Sequence, residues 1–173
     1  MLNIGLDFHD TISYAPDFFI NLIRVWKENN LGNIYIVTGT PPSKKHEVLA
    51  DLEKIGLSEE DFKEILLGFE YEKDKMDLRH FKKMAKHKLK LLKKHNINIY
   101  FDDNPYYVQK MKDEGILTFQ TMMSKDYLDM FEKADPFFTC NLQKEQFDYL
   151  DKLDNKKMCK KDDCKEIILG KPL

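Results

Sequence analysis

Met1–Thr11, MLNIGLDFHDT, is the stretch that decides the fold. Leu2, Ile4 and Leu6 alternate with small or polar residues over a strand's length, and Asp7-Phe8-His9-Asp10 follow at once. A period of two marks a strand, and in an open α/β sheet ligands collect at the carboxyl ends of strands. Packing gives no reason for acid, imidazole and acid within four positions at such a rim. Charge there costs desolvation unless it is paired or binds a metal. Asp7 is therefore the first candidate for chemistry.

Downstream the chain alternates strand and helix. Pro16 opens a helix whose Phe18, Phe19, Leu22, Ile23, Val25 and Trp26 lie mostly on one face. Asn33–Gly39, NIYIVTG, is a β-branched run closed by glycine and predicts a second buried strand. Thr38 stands at its carboxyl end, the position equivalent to Asp7. Pro41-Pro42-Ser43 caps a helix running to about Ile55, stopped by Gly56. Ser58-x-x-Asp61 has the shape of a capping box without its usual Glu or Gln. A third strand is expected over Glu64–Gly68 and a charged loop over Phe69–Leu78.

From Arg79 to His95 a lysine-rich helix places Phe81, Met84, Ala85 and Leu92 in one stripe at about 100° per residue. Lys88 falls inside that stripe while Lys82, Lys83, Lys86, Lys90, Lys93 and Lys94 point elsewhere. An ammonium on an apolar face either snorkels along the core edge or has a partner. Asn98–Pro105, NIYFDDNP, is a fourth strand ending in two adjacent carboxylates and an Asn-Pro turn. A helix over Tyr106–Glu114, closed by Gly115, and a fifth strand over Ile116–Phe119 complete the alternation. The fold class that follows is α/β, a Rossmannoid three-layer α/β/α arrangement around a central parallel sheet of about five strands.

Three strand ends thus carry Asp7, Thr38 and Asp102-Asp103, and one inward face carries Lys88. Converging carboxylates repel unless a cation lies between them, and oxygen-only donors suit Mg²⁺. A metal-bound carboxylate with an ammonium and a hydroxyl beside it describes a pocket for a dianionic phosphoryl group. A carboxylate in line with the phosphorus can act as nucleophile.

The four motifs LDFHDT, IYIVTGT, Lys88 in HKLKLL and IYFDDNP, in that order over residues 1–120, resemble the haloacid dehalogenase (HAD) superfamily of phosphohydrolases. The resemblance implies that the Asp7 strand is flanked by those bearing Thr38 and Asp102. It implies that Asp7 is nucleophile and metal ligand, Thr38 the phosphate-binding hydroxyl and Lys88 the lysine steadying both. Asp102 and Asp103 would form the acidic pair, at least one of them reaching Mg²⁺. Gly39 and Asn104, next to these strand ends, join the expected substrate-binding set. The activity implied is Mg²⁺-dependent hydrolysis of a phosphomonoester through an aspartyl-phosphate. The substrate would be a phosphorylated small molecule, a nucleotide or a nucleic-acid end.

One position departs from the family's D-x-D-x-T: His9 replaces the second Asp, and Asp10 follows it. In that family the metal contact from this position is a backbone carbonyl, so the resemblance keeps His9 in the expected metal set. Its imidazole can do acid–base work at neutral pH. Asp10 could substitute by a shifted turn, or dephosphorylation could be slowed, leaving a HAD-like protein that binds a phosphate ligand or partner. That family usually carries a cap domain after the first or the third strand; here Ile12–Pro16 and Phe69–Leu78 with its following helix are short, so the site is expected to be open. The segment 121–173 is expected to form a C-terminal helical extension of the same single domain. It either covers the site as a lid, with Phe131, Phe137, Phe138 and Phe147 available to pack, or supplies ordinary sheet-flanking helices. Capping by a second subunit is the homo-oligomeric alternative.

Composition bounds the rest. The 173 residues are 42% apolar and 34% charged with a net charge of −2, a globular balance and no polyanion binder. No apolar run has membrane-spanning length, and Asp7 interrupts what would otherwise be a leader. The three cysteines (Cys140, Cys159, Cys164) are odd in number, which fits a reducing, cytoplasmic compartment. Cys159 and Cys164 lack the second pair a zinc site needs. The lysine face of Arg79–Lys94 could meet a polynucleotide backbone but reads first as solvated surface, like His46, His80, His87 and His95. Met122, Met123 and Met130 read as core filler. A receiver domain fails on motif order, and a dinucleotide-binding domain fails for want of Gly-x-Gly-x-x-Gly after Asp7.

Overall fold

The computed structural model describes residues 2–72 and 78–121. Five strands form one parallel sheet: β1 (Asn3–Leu6), β2 (Ile34–Val37), β3 (Glu64–Leu66), β4 (Ile97–Asp102) and β5 (Leu117–Gln120). Their order across the sheet is β3-β2-β1-β4-β5. Helices α1 (Pro16–Glu28), α2 (Lys45–Lys54), α3 (Leu78–Lys94) and α4 (Pro105–Asp113) connect them. The chain walks outward from β1 to β3, then crosses back to β4 on the other side of β1. The switch point therefore lies between β1 and β4, where an open α/β sheet leaves a crevice.

Two apolar layers cover the sheet. Ile4, Leu6, Ile34 and Ile36 pack with Phe19, Ile23 and Trp26 of α1 and with Val48 and Leu52 of α2. On the opposite face Tyr35, Val37, Ile97 and Tyr100 pack with Leu89 and Leu92 of α3 and Met111 of α4. All four residues of β2 are buried, as a strand covered on both faces requires. Edge strand β5 is mostly exposed. The structure is the three-layer α/β/α Rossmannoid arrangement expected from the alternation of elements.

The helices follow their sequence signals. Pro16 opens α1, and Asn104 caps α4 by accepting from the Tyr106 N–H at 3.0 Å. Gly56 and Gly115 take positive φ after α2 and α4. Two local expectations are corrected. The Ser58–Asp61 segment does form the reciprocal box, because the shorter Asp61 side chain still reaches the Ser58 N–H, at 2.9 Å, across a tight 3₁₀ turn. The second helix is preceded by a 3₁₀ turn (Pro42–Lys44), and Glu70 ties down Ser43 at its start, accepting from the Ser43 N–H at 2.8 Å and the hydroxyl at 2.9 Å.

Gly5 links the fold to the site. A Cβ there would lie 3.1 Å from Val37, Ile97 and Tyr100 side chains. Without it the Tyr100 ring lies against β1 and carries its hydroxyl to Asp102. The expected C-terminal extension, its lid alternative, the three cysteines and Met122, Met123 and Met130 lie outside the described residues, as do residues 73–77 of the expected loop. Among the described residues no helix is long and apolar enough to cross a membrane.

Candidate active site

Register brings the acidic strand ends together. Leu6 pairs with Phe101 of β4, and the Asp7 N–H donates to the Phe101 carbonyl at 2.9 Å, so Asp7 stands beside Asp102. Strand alternation turns both side chains toward α3, opposite Leu6. Leu6 also pairs with Ile36 of β2, which sets Val37 beside Asp7 and carries Thr38 one residue past it. Thr38 is thus the first residue after its strand, as Asp7 is, yet it is not level with Asp7. The two strands end one step apart.

Lys88 is the centre of the cluster. The apolar stripe of α3 is buried along Phe81, Met84, Ala85 and Leu92, and Lys88, 1% exposed, comes up among them. Its Nζ lies 2.8 Å from Asp7 Oδ1 and 2.8 Å from Asp102 Oδ2. The Tyr107 ring centroid is 4.6 Å from the same nitrogen. Burial alone would lower the lysine's pKa, but the Asp102 and Asp7 charges outweigh it and hold the ammonium well above its ordinary value. Of the two readings open to the sequence, the partnered lysine is the one found.

Asp102 is fully buried and doubly committed. Its Oδ2 accepts from Lys88 and from the Tyr100 hydroxyl, and its Oδ1 accepts from the Asn104 N–H at 2.8 Å. Burial, with Asp102 beside it, also pushes the Tyr100 hydroxyl well above its ordinary pKa. Asp103 is buried but lines the cleft. Carboxylate oxygens of Asp7, Asp102 and Asp103 lie within 4.8 Å of one another. Desolvation, partly offset by Lys88 and reinforced by Asp102, raises Asp7 to about 7. Desolvation with the charges of Asp102 and Asp7 raises Asp103 to about 9. Three buried carboxylates share one ammonium, so the cluster takes up protons or a cation. A small divalent ion with oxygen preference fits this donor set.

The sign of the pH dependence follows. In the unfolded chain these two acids titrate near the ordinary aspartate value of 3.8. Between roughly pH 4 and 9 the metal-free folded chain therefore binds more protons than the unfolded one, and stability falls as pH rises. The contribution is complete below about pH 4 and is lost as pH climbs through the two raised values. Thermal melts in EDTA should show Tm falling from pH 6 to 9, with a shallower slope in Asp103→Asn. An equal slope in that variant would refute the assignment.

The cleft in front of the cluster has a volume of about 430 Å³. Asp7, His9, Lys88, Asp103, Asn104 and Gly39 all line it. His9 sits in a five-residue turn, Phe8–Ile12, closed by the Ser13 N–H donating to the Phe8 carbonyl at 3.0 Å. Asp10, next in that turn, takes positive φ. Partial burial, opposed mainly by Asp10, lowers the His9 pKa. The three side chains of the carboxylate cluster do not include the His9 ring.

Thr38 is fully buried and off the cleft wall. Its hydroxyl bonds the Thr40 hydroxyl at 3.0 Å and accepts from the Thr40 N–H at 3.2 Å. Gly39, in the expected substrate-binding set, forms the wall instead, together with Thr40, which the sequence did not single out. Tyr71, His80 and Tyr107 also line the cleft unanticipated. His80 is buried, not a surface residue, because the loop bearing Tyr71 packs on it with ring centroids 4.4 Å apart. His87 is likewise half-buried, with Nε2 3.0 Å from the Leu67 carbonyl, and His95 is half-buried against the Tyr35 ring.

No protein-family model and no curated protein matches this chain. The crystal structure of an uncharacterized protein from Corynebacterium glutamicum ATCC 13032 Kitasato is similar to it at 16% identity and a TM-score of 0.45. That likeness covers 78% of this chain and 94% of the other. At that level it carries no functional argument. What fold and site define together is a Rossmannoid α/β domain with a lysine-bridged carboxylate cluster at its switch point.

Proposed function

We propose that the protein is a phosphomonoester hydrolase of the HAD type that uses Asp7 as nucleophile and a Mg²⁺ ion held at the switch point. The observation that carries this is Lys88, buried and 2.8 Å from both Asp7 and Asp102 where two parallel strands end. Asp7 and Asp103 face the cleft and would hold the ion, with the His9 carbonyl as the expected backbone ligand. Asp102, both oxygens already engaged, stands behind them and fixes Lys88. Bound there, the ion supplies charge neutralisation for the phosphoryl oxygens.

The chain's own groups then divide the work. Lys88 and the backbone around Gly39 and Thr40 orient the phosphate, with the Thr40 hydroxyl available where Thr38 is turned away. An Asp7 oxygen attacks phosphorus as the P–O bond to the leaving group breaks, giving an aspartyl-phosphate. His9, on the cleft wall, accepts a proton from the water that cleaves that intermediate. His9 stands where that family carries the Asp that gives a proton to the departing alcohol. This observation favours a second reading, a slow enzyme or a phosphate-binding module.

The test is p-nitrophenyl phosphate with Mg²⁺, because p-nitrophenolate leaves without a proton donor. Turnover abolished by EDTA and restored by Mg²⁺ supports the hydrolase. Alkyl phosphates should be slower by a factor that grows with leaving-group pKa. Phosphate binding without turnover on any ester would establish the binding module instead.

A further inference from the structure

The outer half of the cleft has a chemistry of its own, and it deepens the hydrolase reading by naming the substrate. Beyond the carboxylate cluster one wall is made of rings. Tyr71, half-buried, packs on His80 at 4.4 Å between centroids, and Phe69 backs both, at 6.3 Å from Tyr71 and 5.5 Å from His80. Glu70 holds this loop in place through its two bonds to Ser43. The α2 side carries Glu47 and Asp51, one helical turn apart, and Asp10 lines the cleft as well. Among the described residues Lys44 is the only ammonium besides Lys88 on the wall. It lies 3.5 Å from Glu47, and Lys54, off the wall, pairs with Asp51 at 2.7 Å.

Such a surface selects by charge and by shape. A second phosphate projecting outward would meet Asp10, Glu47 and Asp51, whose charges Lys44 and Lys54 offset only in part, so di- and triphosphates and phosphorylated strand ends are disfavoured. An uncharged remainder with hydroxyl and amino donors suits Glu47 and Asp51 as acceptors, and a flat ring suits the tyrosine face. We propose that the site takes nucleoside monophosphates, with the phosphate at Lys88, the sugar and base edge toward Glu47 and Asp51, and the base on Tyr71.

The experiment compares two ligands that differ only in the base. On the full chain with Mg²⁺, Kd is measured by titration calorimetry for the non-hydrolysable methylenephosphonate analogues of uridine 5′-monophosphate and of ribose 5-phosphate, with kcat/KM for the two natural esters alongside. The nucleoside analogue should bind about tenfold more tightly, and Tyr71→Ala should shrink that ratio to about two. Glu47→Gln/Asp51→Asn should weaken the nucleoside and raise the rate on a 5′-phosphorylated oligonucleotide. Equal affinity for the two analogues overturns the proposal, as does a wild-type preference for the oligonucleotide. Binding needs no turnover, so failure of p-nitrophenyl phosphate hydrolysis removes the hydrolase reading and leaves this result standing on its own.

Discussion

Asp7→Asn should reduce Mg²⁺-dependent hydrolysis of p-nitrophenyl phosphate by at least about 10³-fold while leaving the chain folded. An amide cannot attack phosphorus, and it removes one of the two carboxylates that face both the cleft and the cation. The architecture survives because the amide oxygen still accepts from Lys88, whose bond to Asp102 at 2.8 Å is untouched. Removing a buried acid whose pKa is raised to about 7 also removes a charge that the metal-free protein must carry at alkaline pH. The variant's Tm in EDTA at pH 8 should therefore equal or exceed that of the parent. Loss of activity with loss of fold would say nothing about the nucleophile. Activity within tenfold of the parent, in a folded variant, would remove Asp7 from that role.

Lys88→Met should be the most destabilising single change among the described residues. The side chain is 1% exposed and both of its carboxylate partners are buried. Its loss leaves them uncompensated, which costs about 3–5 kcal/mol. That is a large fraction of the roughly 5–15 kcal/mol that holds a domain together. For a chain of this size the loss corresponds to a fall in Tm of about 6–20 °C. The penalty belongs to ionised carboxylates, so it should be larger at pH 8 than at pH 5.5, where the raised acids are protonated. Melts at the two pH values, with and without Mg²⁺, check this. A variant as stable as the parent at pH 8 would mean that the ammonium does not hold the cluster together.

Mg²⁺ should act in the opposite sense to pH. Binding to acids raised to about 7 and about 9 must displace protons near neutrality, so affinity rises with pH. Calorimetry in buffers of different ionisation enthalpy reads that release directly.

The sequence by itself determined the elements and their chemistry. Alternating and β-branched apolar runs, broken by Pro, Gly and Asn, laid out five strands and four helices, because the core must cover both faces of a parallel sheet. The same runs exposed Asp7, Asp102 and Asp103 as strand-end acids, and a helical period of 3.6 picked Lys88 out of a lysine-rich segment as the one facing inward. Only the tertiary structure decided which groups open on the cleft. Register between β1 and β2 carried Thr38 a step past Asp7 and turned its hydroxyl to Thr40, which no single-strand pattern encodes. Bonds from Lys88, Tyr100 and the Asn104 N–H used up Asp102 and left Asp103 facing outward. His80, polar and apparently superficial in a charged helix, became a buried wall because a loop from elsewhere in the chain packs Tyr71 on it. Periodicity reports the face a residue takes on its own element, whereas the neighbour it meets depends on how separate elements are set against one another.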